Sequence, residues 1–376
     1  MLETYKNYPK ISIVTPSYNQ GQFIEETILS IINQNYPNLE YIIIDGGSTD
    51  NTVEIIKKYE NFISYWISEK DNGQTEAIIK GLHKCTGELF NWINSDDMLA
   101  QNALWNIANS YVENRKDIIT GITINVDSLG NELSRYSFNE NRSFEEILFL
   151  VNVNQPGSFW KTKIVKELGL NPNLRYVMDL DLMLRYLFTY KNIQLTKLNQ
   201  PIAFYRYHIN SKTVNETFHF DLEEWALYTH YFKEAIVENS FLTLFNDKIK
   251  FLNFDFNKAK YFPKFQISKK KQSRYFFLLQ TKLLTYNCFF FNIFKGLGKN
   301  TGFAVLELKA LLKNNKEKSL NILIQESILK LFQRDKLINV KILFWSIFIN
   351  YDFSIWLAFI KTCIRNTLWK IRKYRF

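Results

Sequence analysis

The sequence predicts an α/β protein in which a mostly parallel, mixed sheet is flanked by helices and followed by an α-helical C-terminal region. Two observations support this prediction. In the first hundred residues, short runs rich in β-branched residues alternate with longer stretches whose apolar residues repeat at helical spacing. From about residue 215 the strand patterns fade, and the pattern becomes helical, aromatic and basic. Alternation of this length is typical of a parallel sheet with helices on both faces.

Four strands are predicted in the first hundred residues, and a helix follows each of the first three. The strand patterns cover 11–15, 39–45, 63–68 and 88–93, and the helical patterns lie within 21–34, 46–60 and 73–87. Either Ser48 or Asp50 could cap the second helix. Beyond these elements, the sequence predicts a strand at 118–127, a turn and helix within 155–169, a helix at 178–188 and a last strand at 201–208.

Acidic residues follow several of these strands. Asp45 ends the second strand, Ser68 at the end of the third is followed by Asp71, and Asp96 and Asp97 follow the fourth. The carboxyl ends of parallel strands meet at one edge of a sheet, where ligands bind in such folds. A solvated turn tolerates two adjacent carboxylates, and a divalent cation would require them.

Length and composition indicate two domains in a reducing compartment. The 376 residues exceed one ordinary domain, and we place a first domain at 1–215 and a helical, basic region at 216–376. The three cysteines have no C-x-x-C spacing, so neither a disulfide framework nor a zinc site is predicted. The first residues lack the pattern of a signal peptide, and we expect a cytoplasmic location.

The C-terminal region carries most of the positive charge. From residue 263 onward there are 22 Lys and Arg against 5 Asp and Glu. No nucleic-acid recognition motif is evident, and no nucleic acid partner is expected. Basic and aromatic residues on helices suit peripheral contact with an anionic membrane, and a solvated basic face is the alternative. The apolar stretch 342–360 contains Asn350 and Asp352, which favours a buried or interfacial helix over a spanning one.

Four segments, taken in order, resemble glycosyltransferase family 2. They are "SIVTPSYNQGQFIEETILSIINQNYPNLEYIIIDGGSTDNT", "SEKDNGQTEAIIKGLHKCTGELFNWINSDD", "MDLDLMLR" and "YRYH". Each segment alone would be a weak signal, but the ordered set is specific. The resemblance covers roughly residues 10–212 and implies the GT-A fold. It also implies inverting transfer of a sugar from a nucleotide diphosphate donor.

The resemblance implies a divalent cation, Mn(II) or Mg(II), which would neutralise the charge that grows on the departing diphosphate. It assigns the cation to Asp97, places Asp96 near the ribose or a metal-bound water, and adds His208 as a further ligand. An ordinary hydrogen-bonding role is the alternative for His208. Arg206 either pairs with phosphate or lies on a surface strand.

The donor pocket implied by the resemblance is bounded by Pro16, Ser17 and Tyr18 at the end of the first strand. Asp45 would accept a hydrogen bond from the base, which suits the N3–H of uracil, and Asp71 would lie near base and ribose. The donor is therefore expected to be a UDP-sugar. The alternatives are turn roles for all of these residues, with Asp45 capping the following helix.

The catalytic base implied by the resemblance is Asp179, which would deprotonate the acceptor hydroxyl. Met178 stands where the family usually has Glu, so the contacts to the acceptor differ from the usual pattern. Asp181 would point away from Asp179 on a helix and is expected to be structural. Arg185 and Trp160 are expected on the acceptor side, although core packing is the default interpretation for Trp160.

The expected function is sugar transfer to a hydroxyl of a glycan or lipid-linked acceptor in bacterial surface polysaccharide biosynthesis, including capsule and O-antigen. The enzyme would act peripherally on the inner face of the cell membrane. One alternative is a sugar nucleotidyltransferase, but "TPSYNQGQF" lacks the glycine-rich, Arg-containing phosphate loop that it needs. Another is a non-catalytic protein that binds membranes or polyanions through a degenerate transferase domain.

Overall fold

A computed structural model of the chain describes residues 8–139, 147, 154–190, 193–216 and five further positions up to Leu227. The chain divides into two units, and the described residues through Glu224 belong to the first. The expected helical region at 216–376, including the stretch 342–360, lies almost wholly outside the described residues.

The described residues build a nine-stranded mixed sheet. Its strands, β1 to β9, are Ile11–Ser17, Leu39–Asp45, Tyr65–Ser68, Leu89–Trp92, Met98–Leu99, Ile118–Val126, Glu132–Tyr136, Ser158–Lys161 and Leu195–Arg206. The α-helices, α1 to α7, are Ile24–Ile32, Thr52–Lys58, Gln74–Lys84, Ala103–Asn114, Thr162–Leu168, Met178–Tyr190 and Lys212–Asn215. The strand order is β3-β2-β1-β4-β8-β6-β9-β5, and β7 pairs with β6. The predicted mixed sheet is confirmed.

Parallel pairing aligns the strand ends of the first half. β1 pairs in parallel with β2 and β4, and β2 pairs in parallel with β3. The register sets Ser17 opposite Asp45, and Asp45 opposite Ser68. Three strands therefore end side by side at one rim of the sheet. The second half is more antiparallel, since β8 runs against both β4 and β6.

Helices cover both faces of the sheet because side chains alternate along each strand. Ile13 belongs to a core cluster with α1 and α4, which contribute residues such as Ile28 and Leu104. Val14 points the other way, toward α3. A Cβ atom built on Gly81 of α3 would lie 2.5 Å from a Val14 methyl group. The absence of a side chain at Gly81 therefore lets α3 approach β1 closely.

The first four predicted strands are confirmed to within two residues at each end. The β9 strand begins at Leu195, six residues before the predicted start. Five elements are missing from the sequence prediction, namely β5, β7, β8, α4 and α7. The four-residue β8 lies where a turn was expected, and its strand conformation depends on partners distant in sequence. The buried residues of α4 do repeat at helical spacing.

Neither predicted cap of α2 is its N-cap residue, which is Asn51. The Asp50 carboxylate instead accepts hydrogen bonds from the Thr52 hydroxyl at 2.5 Å and from the Gly21 amide at 2.9 Å. Asp50 therefore joins the start of α2 to the loop between β1 and α1. The Ser48 hydroxyl lies against Asp45.

A buried carboxylate stabilises the opposite edge of the sheet, at the starts of the strands. Glu40 accepts hydrogen bonds from the Ser12 hydroxyl at 2.5 Å and the Thr86 amide at 2.7 Å, and it pairs with Lys10 at 2.7 Å. Burial alone would raise the pKa of Glu40. The hydrogen bonds from Lys10, Ser12 and Thr86 together outweigh it and lower the pKa to about 2.

We expect Glu40→Gln to lower the free energy of unfolding by about 1–3 kcal/mol at pH 7. Because the folded-state pKa is below the unfolded one, Glu40 stabilises the fold fully above about pH 4.5. This contribution disappears as the pH falls toward 2. Urea unfolding at pH 7 and pH 3 should show a smaller difference between wild type and variant at pH 3. Glu54→Gln, at an exposed position of α2, is the control. An equal Glu40→Gln difference at both pH values would contradict this account.

Candidate active site

The β2 end places Asp45 at the rim, fully buried. Its carboxylate accepts hydrogen bonds from the Ser48 hydroxyl at 2.5 Å and the Ser68 hydroxyl at 2.6 Å. It also accepts the amides of Gly47 at 3.1 Å and Ser48 at 2.8 Å. Asp45 therefore organises the loop after β2. Its contact with a base stays a prediction.

Asp71 is brought against Asp45 through Gly46. A Cβ atom built on Gly46 would lie 3.0 Å from an Asp71 carboxylate oxygen, so the absence of a side chain at Gly46 lets that carboxylate approach closely. The other oxygen of Asp71 accepts the Gly73 amide at 2.8 Å. Burial raises the pKa of Asp71, and the nearby Asp45 charge adds to the shift. The two carboxylates predicted for the donor pocket thus share one wall.

Pro16, Ser17 and Tyr18 complete this side of the rim. Pro16 and Ser17 are the buried last residues of β1, and the Tyr18 side chain is 60% exposed. Among the described residues, the buried Ser17 hydroxyl has no hydrogen-bond partner. A buried hydroxyl without a partner is costly, and a bound ligand could satisfy it.

The two adjacent aspartates that follow β4 have different surroundings. Asp97 is only 1% exposed. One of its oxygens accepts the Arg206 amide at 3.0 Å, and the other accepts the Asn94 side-chain amide at 3.0 Å. Burial, followed by the Asp96 charge, raises the pKa of Asp97 well above its ordinary value. The Asp97 carboxylate therefore connects the β4 turn to the end of β9.

Asp96 faces His208 instead. The Asp96 Oδ2 atom lies 2.9 Å from His208 Nε2, and the side chains are 20% and 4% exposed. The His208 ring packs on Phe23 with ring centroids 4.6 Å apart, which fixes its orientation. The structure therefore joins Asp96 with His208, whereas both Asp97 oxygens have protein partners. Within the described part of the chain, no group of three or more His, Cys, Asp or Glu side chains could hold a metal ion.

Arg206 does not lie on an exposed strand surface, because its side chain is buried. Its guanidinium pairs with Glu26, donates to the Asp96 carbonyl at 3.1 Å and lies 4.9 Å from the centre of the Phe23 ring. These contacts hold the Asp96–Asp97 turn in place. The expected pairing of Arg206 with phosphate stays a prediction.

Asp179 is the second residue of α6 and is partly exposed. One of its oxygens accepts the Leu180 amide at 2.9 Å. Burial raises the pKa of Asp179 to about 6, against this hydrogen bond, and Glu224 adds a smaller upward contribution. A carboxylate with this pKa is ionised at neutral pH and is a stronger base than an ordinary Asp.

The residues expected around Asp179 prove structural. Asp181 is buried and forms an ion pair with Arg185 at 2.6 Å. Arg185 is also buried and donates to the Leu168 carbonyl and, at 2.8 Å, to that of Gly169. It therefore caps the end of α5, and the expected acceptor role of Arg185 is corrected. Trp160 packs edge-on against Tyr186 in the core, which excludes it from the acceptor side as well.

The sequence prediction missed a chain of hydrogen-bonded polar side chains that runs from α7 to the turn after β4. Lys212 donates to the Gln74 side chain at 3.0 Å, Gln74 donates to Asn94 at 2.7 Å, and Asn94 donates to Asp97. Burial lowers the pKa of Lys212. The neighbouring Ser211 hydroxyl is buried and, among the described residues, has no partner. The only sequence signal for these two residues was their place just after "YRYH".

The helices of the described part of the chain include none long and apolar enough to cross a membrane. The predicted apolar stretch 342–360 is outside that part.

The amino-acid sequence is similar to those of known glycosyltransferases. Residues 12–166 match the model of the family described as "Glycosyl transferase family 2". The chain is 29% identical over 154 residues to glycosyltransferase GlyG of Streptococcus pneumoniae, covering 40% of this chain and 51% of that protein. It is 34% identical over 117 residues to the poly(ribitol-phosphate) beta-N-acetylglucosaminyltransferase TarP of Staphylococcus aureus, covering 30% of this chain and 36% of that protein. The chain therefore spans about half or less of the length of these relatives.

A solved structure agrees on the fold. The S. aureus TarS 1–349 structure in complex with UDP-GlcNAc has a TM-score of 0.55 and 16% identity, covering 88% of each chain. At this identity the likeness supports the GT-A fold alone. The conserved architecture and the family match agree with the resemblance carried by the sequence motifs. Through residues 12–166, this chain is similar to glycosyl transferase family 2.

Proposed function

We propose that this protein transfers a sugar from a nucleotide diphosphate donor, a UDP-sugar, to an acceptor hydroxyl with inversion at the anomeric carbon. The observation that carries the proposal is the carboxylate–imidazole pair of Asp96 and His208, which lies between the turn after β4 and the end of β9. Asp179, with its raised pKa, is available at the start of α6. A polar chain runs from Lys212, 3.5 Å from the Arg175 carbonyl, through Gln74 to Asn94.

Asp96 and His208 would hold the divalent cation of this reaction. They offer one oxygen and one imidazole nitrogen, a set that suits Mn(II) better than Mg(II). When bound, the cation would neutralise charge on the diphosphate leaving group. The expected role of Asp97 as the ligand stays a prediction, and its two hydrogen bonds disfavour it. We assign Asp97 instead to holding the end of β9.

The donor would lie along the rest of the rim. The unpaired hydroxyls of Ser17 and Ser211 are suited to donate to the nucleotide, and Lys212 supplies a positive charge near the diphosphate. Asp45 and Asp71 would face the uridine.

Asp179 would act as the general base. An attacking hydroxyl must lose its proton as the bond to the anomeric carbon forms, and a carboxylate with a pKa near 6 can accept it at neutral pH. The new glycosidic bond forms as the bond to the diphosphate oxygen breaks, and the proton remains on Asp179 until it exchanges with water.

For the acceptor we propose a hydroxyl of a bacterial cell-surface polysaccharide, including lipid-linked precursors of capsule or O-antigen. The S. aureus relative TarP is named a poly(ribitol-phosphate) beta-N-acetylglucosaminyltransferase, which supports this class. The excess of 22 basic over 5 acidic residues from position 263 onward supports peripheral contact with an anionic membrane on its cytoplasmic face.

The direct test is a donor screen. We expect nucleotide diphosphate release from a UDP-sugar when the full chain is incubated with Mn(II), a panel of nucleotide sugars and a lipid-linked saccharide fraction. Asp179→Asn should lower this rate about 10²–10⁴-fold while UDP affinity is kept, because the donor does not contact the base. Release of nucleoside monophosphate or pyrophosphate would instead indicate a nucleotidyltransferase. No release from any donor, or full activity of Asp179→Asn, would contradict the proposal.

The pH dependence should identify the base. The transfer rate should rise with pH, with a slope of about one on a log scale below the pKa, and level off above it. Because only the ionised carboxylate accepts a proton, the pKa of about 6 for Asp179 places the change from slope to plateau near pH 6. Initial rates from pH 4.5 to 8 at saturating donor would measure it. A flat profile across pH 6 would exclude Asp179 as the base.

The two adjacent aspartates can be separated by substitution. Asp96→Ala should weaken the Mn(II)-dependent part of UDP binding by at least about 10-fold in calorimetry, since it removes a ligand. Asp97→Ala should keep that dependence and lower the free energy of unfolding by about 1–3 kcal/mol, because the Arg206 amide loses its acceptor. If Asp97→Ala loses the Mn(II) dependence and Asp96→Ala keeps it, Asp97 is the cation ligand instead.

A further inference from the structure

Glu223 is fully buried, and its carboxylate binds three consecutive backbone amides. It accepts hydrogen bonds from Arg175 at 2.8 Å, Tyr176 at 2.6 Å and Val177 at 2.9 Å. Burial raises the pKa of Glu223, and these three bonds oppose that shift. No other described carboxylate is engaged by three successive amides of a distant segment.

These amides lie directly before the helix that carries Asp179. The Val177 carbonyl accepts the Asp181 amide at 3.0 Å, so the helical hydrogen bonding of α6 begins at Val177. Amides at the start of a helix have no partner within it, and a carboxylate satisfies them with charge-assisted bonds. Glu223 therefore fixes the path of the chain two residues before Asp179.

The segment that carries Glu223 also holds the side chain of the same turn. The Tyr176 ring stacks on His219, with ring centroids 5.6 Å apart, and packs against Phe220 at 5.0 Å. The Tyr176 hydroxyl bonds to Glu216. The backbone of this turn is therefore held by Glu223, and its Tyr176 side chain is held by Glu216, His219 and Phe220.

We propose that Glu223 is a positioning residue for the catalytic base: it holds the turn 175–177 so that Asp179 meets the acceptor hydroxyl. The inference rests on the proposed role of Asp179. It extends the functional domain past the predicted boundary at 215, because a residue beyond it would be needed for the reaction. It also places a needed residue well outside the matched residues 12–166.

The expected result is a loss of turnover without a loss of donor binding. Glu223→Ala should lower the rate of nucleotide diphosphate release at saturating substrates about 10–100-fold, because small displacements of a reacting group have effects of this size. UDP affinity, measured by calorimetry with Mn(II), should stay within about twofold, since the hydrogen bonds of Glu223 go to the backbone of the turn 175–177 and not to a side chain of the proposed donor pocket. Glu223→Gln keeps an acceptor oxygen and should recover part of the rate. Glu167→Gln, an exposed position on α5, is the charge-matched control.

A double variant distinguishes a positioning role of Glu223 from a general effect on stability. If Glu223 acts through Asp179, Glu223→Ala should cause no further loss in an Asp179→Asn protein, because the effects of residues that act as a unit do not add. An equal fold-loss in both backgrounds would overturn the inference, and so would a parallel loss of UDP affinity.

Failure of this inference can be told apart from failure of the proposed function. Full activity of Asp179→Asn would remove the proposed base itself. An inactive Asp179→Asn together with an unchanged rate for Glu223→Ala would overturn only the positioning role. If Glu223→Ala does not fold, Glu223→Gln carries the test, and an unchanged rate for that variant counts against the inference.

Discussion

The site depends on one buried interaction, the hydrogen bond that the Arg206 backbone amide donates to the Asp97 carboxylate. It connects the turn after β4 to the end of β9, which is more than a hundred residues away along the chain. A buried carboxylate is costly without hydrogen-bond donors, so Asn94 and the Arg206 amide both have to remain in place. Because β9 ends there, the residues that follow it, His208 to Lys212, reach the rim.

The adjacent aspartates Asp96 and Asp97 have different surroundings and different roles. Asp97 is enclosed and fixes backbone, whereas Asp96 stays at the surface and faces an imidazole. Two neighbouring charges repel, and burial of one of them favours its protonated form. The Asp96–Asp97 pair thus combines a structural group and a group proposed to bind the cation within one turn. Arg206 reinforces the turn by donating to the Asp96 carbonyl and pairing with Glu26.

The groups proposed for the reaction come from two regions of the chain. Most of the proposed donor pocket comes from the loops after β1, β2 and β3, within the matched residues 12–166. His208, Lys212, Asp179 and Glu223 all lie beyond that match. Lys212 links the regions, because it bonds to Gln74 and lies within 3.5 Å of the Arg175 carbonyl. Residues 12–166 alone would therefore hold most of the proposed donor pocket without the proposed base.

The sequence by itself determined the resemblance to glycosyl transferase family 2, the alternation of strands and helices in the first half, and the set of polar residues at the strand ends. These follow from local patterns: the continuous apolar run of β2, helical spacing in α1 and the ordered motifs. Only the tertiary structure decided that Asp96 rather than Asp97 meets His208, that Arg206 and Arg185 are buried, and that Glu223 contacts the turn before Asp179. Those outcomes depend on strand register and on contacts between residues far apart in sequence, which no local pattern encodes.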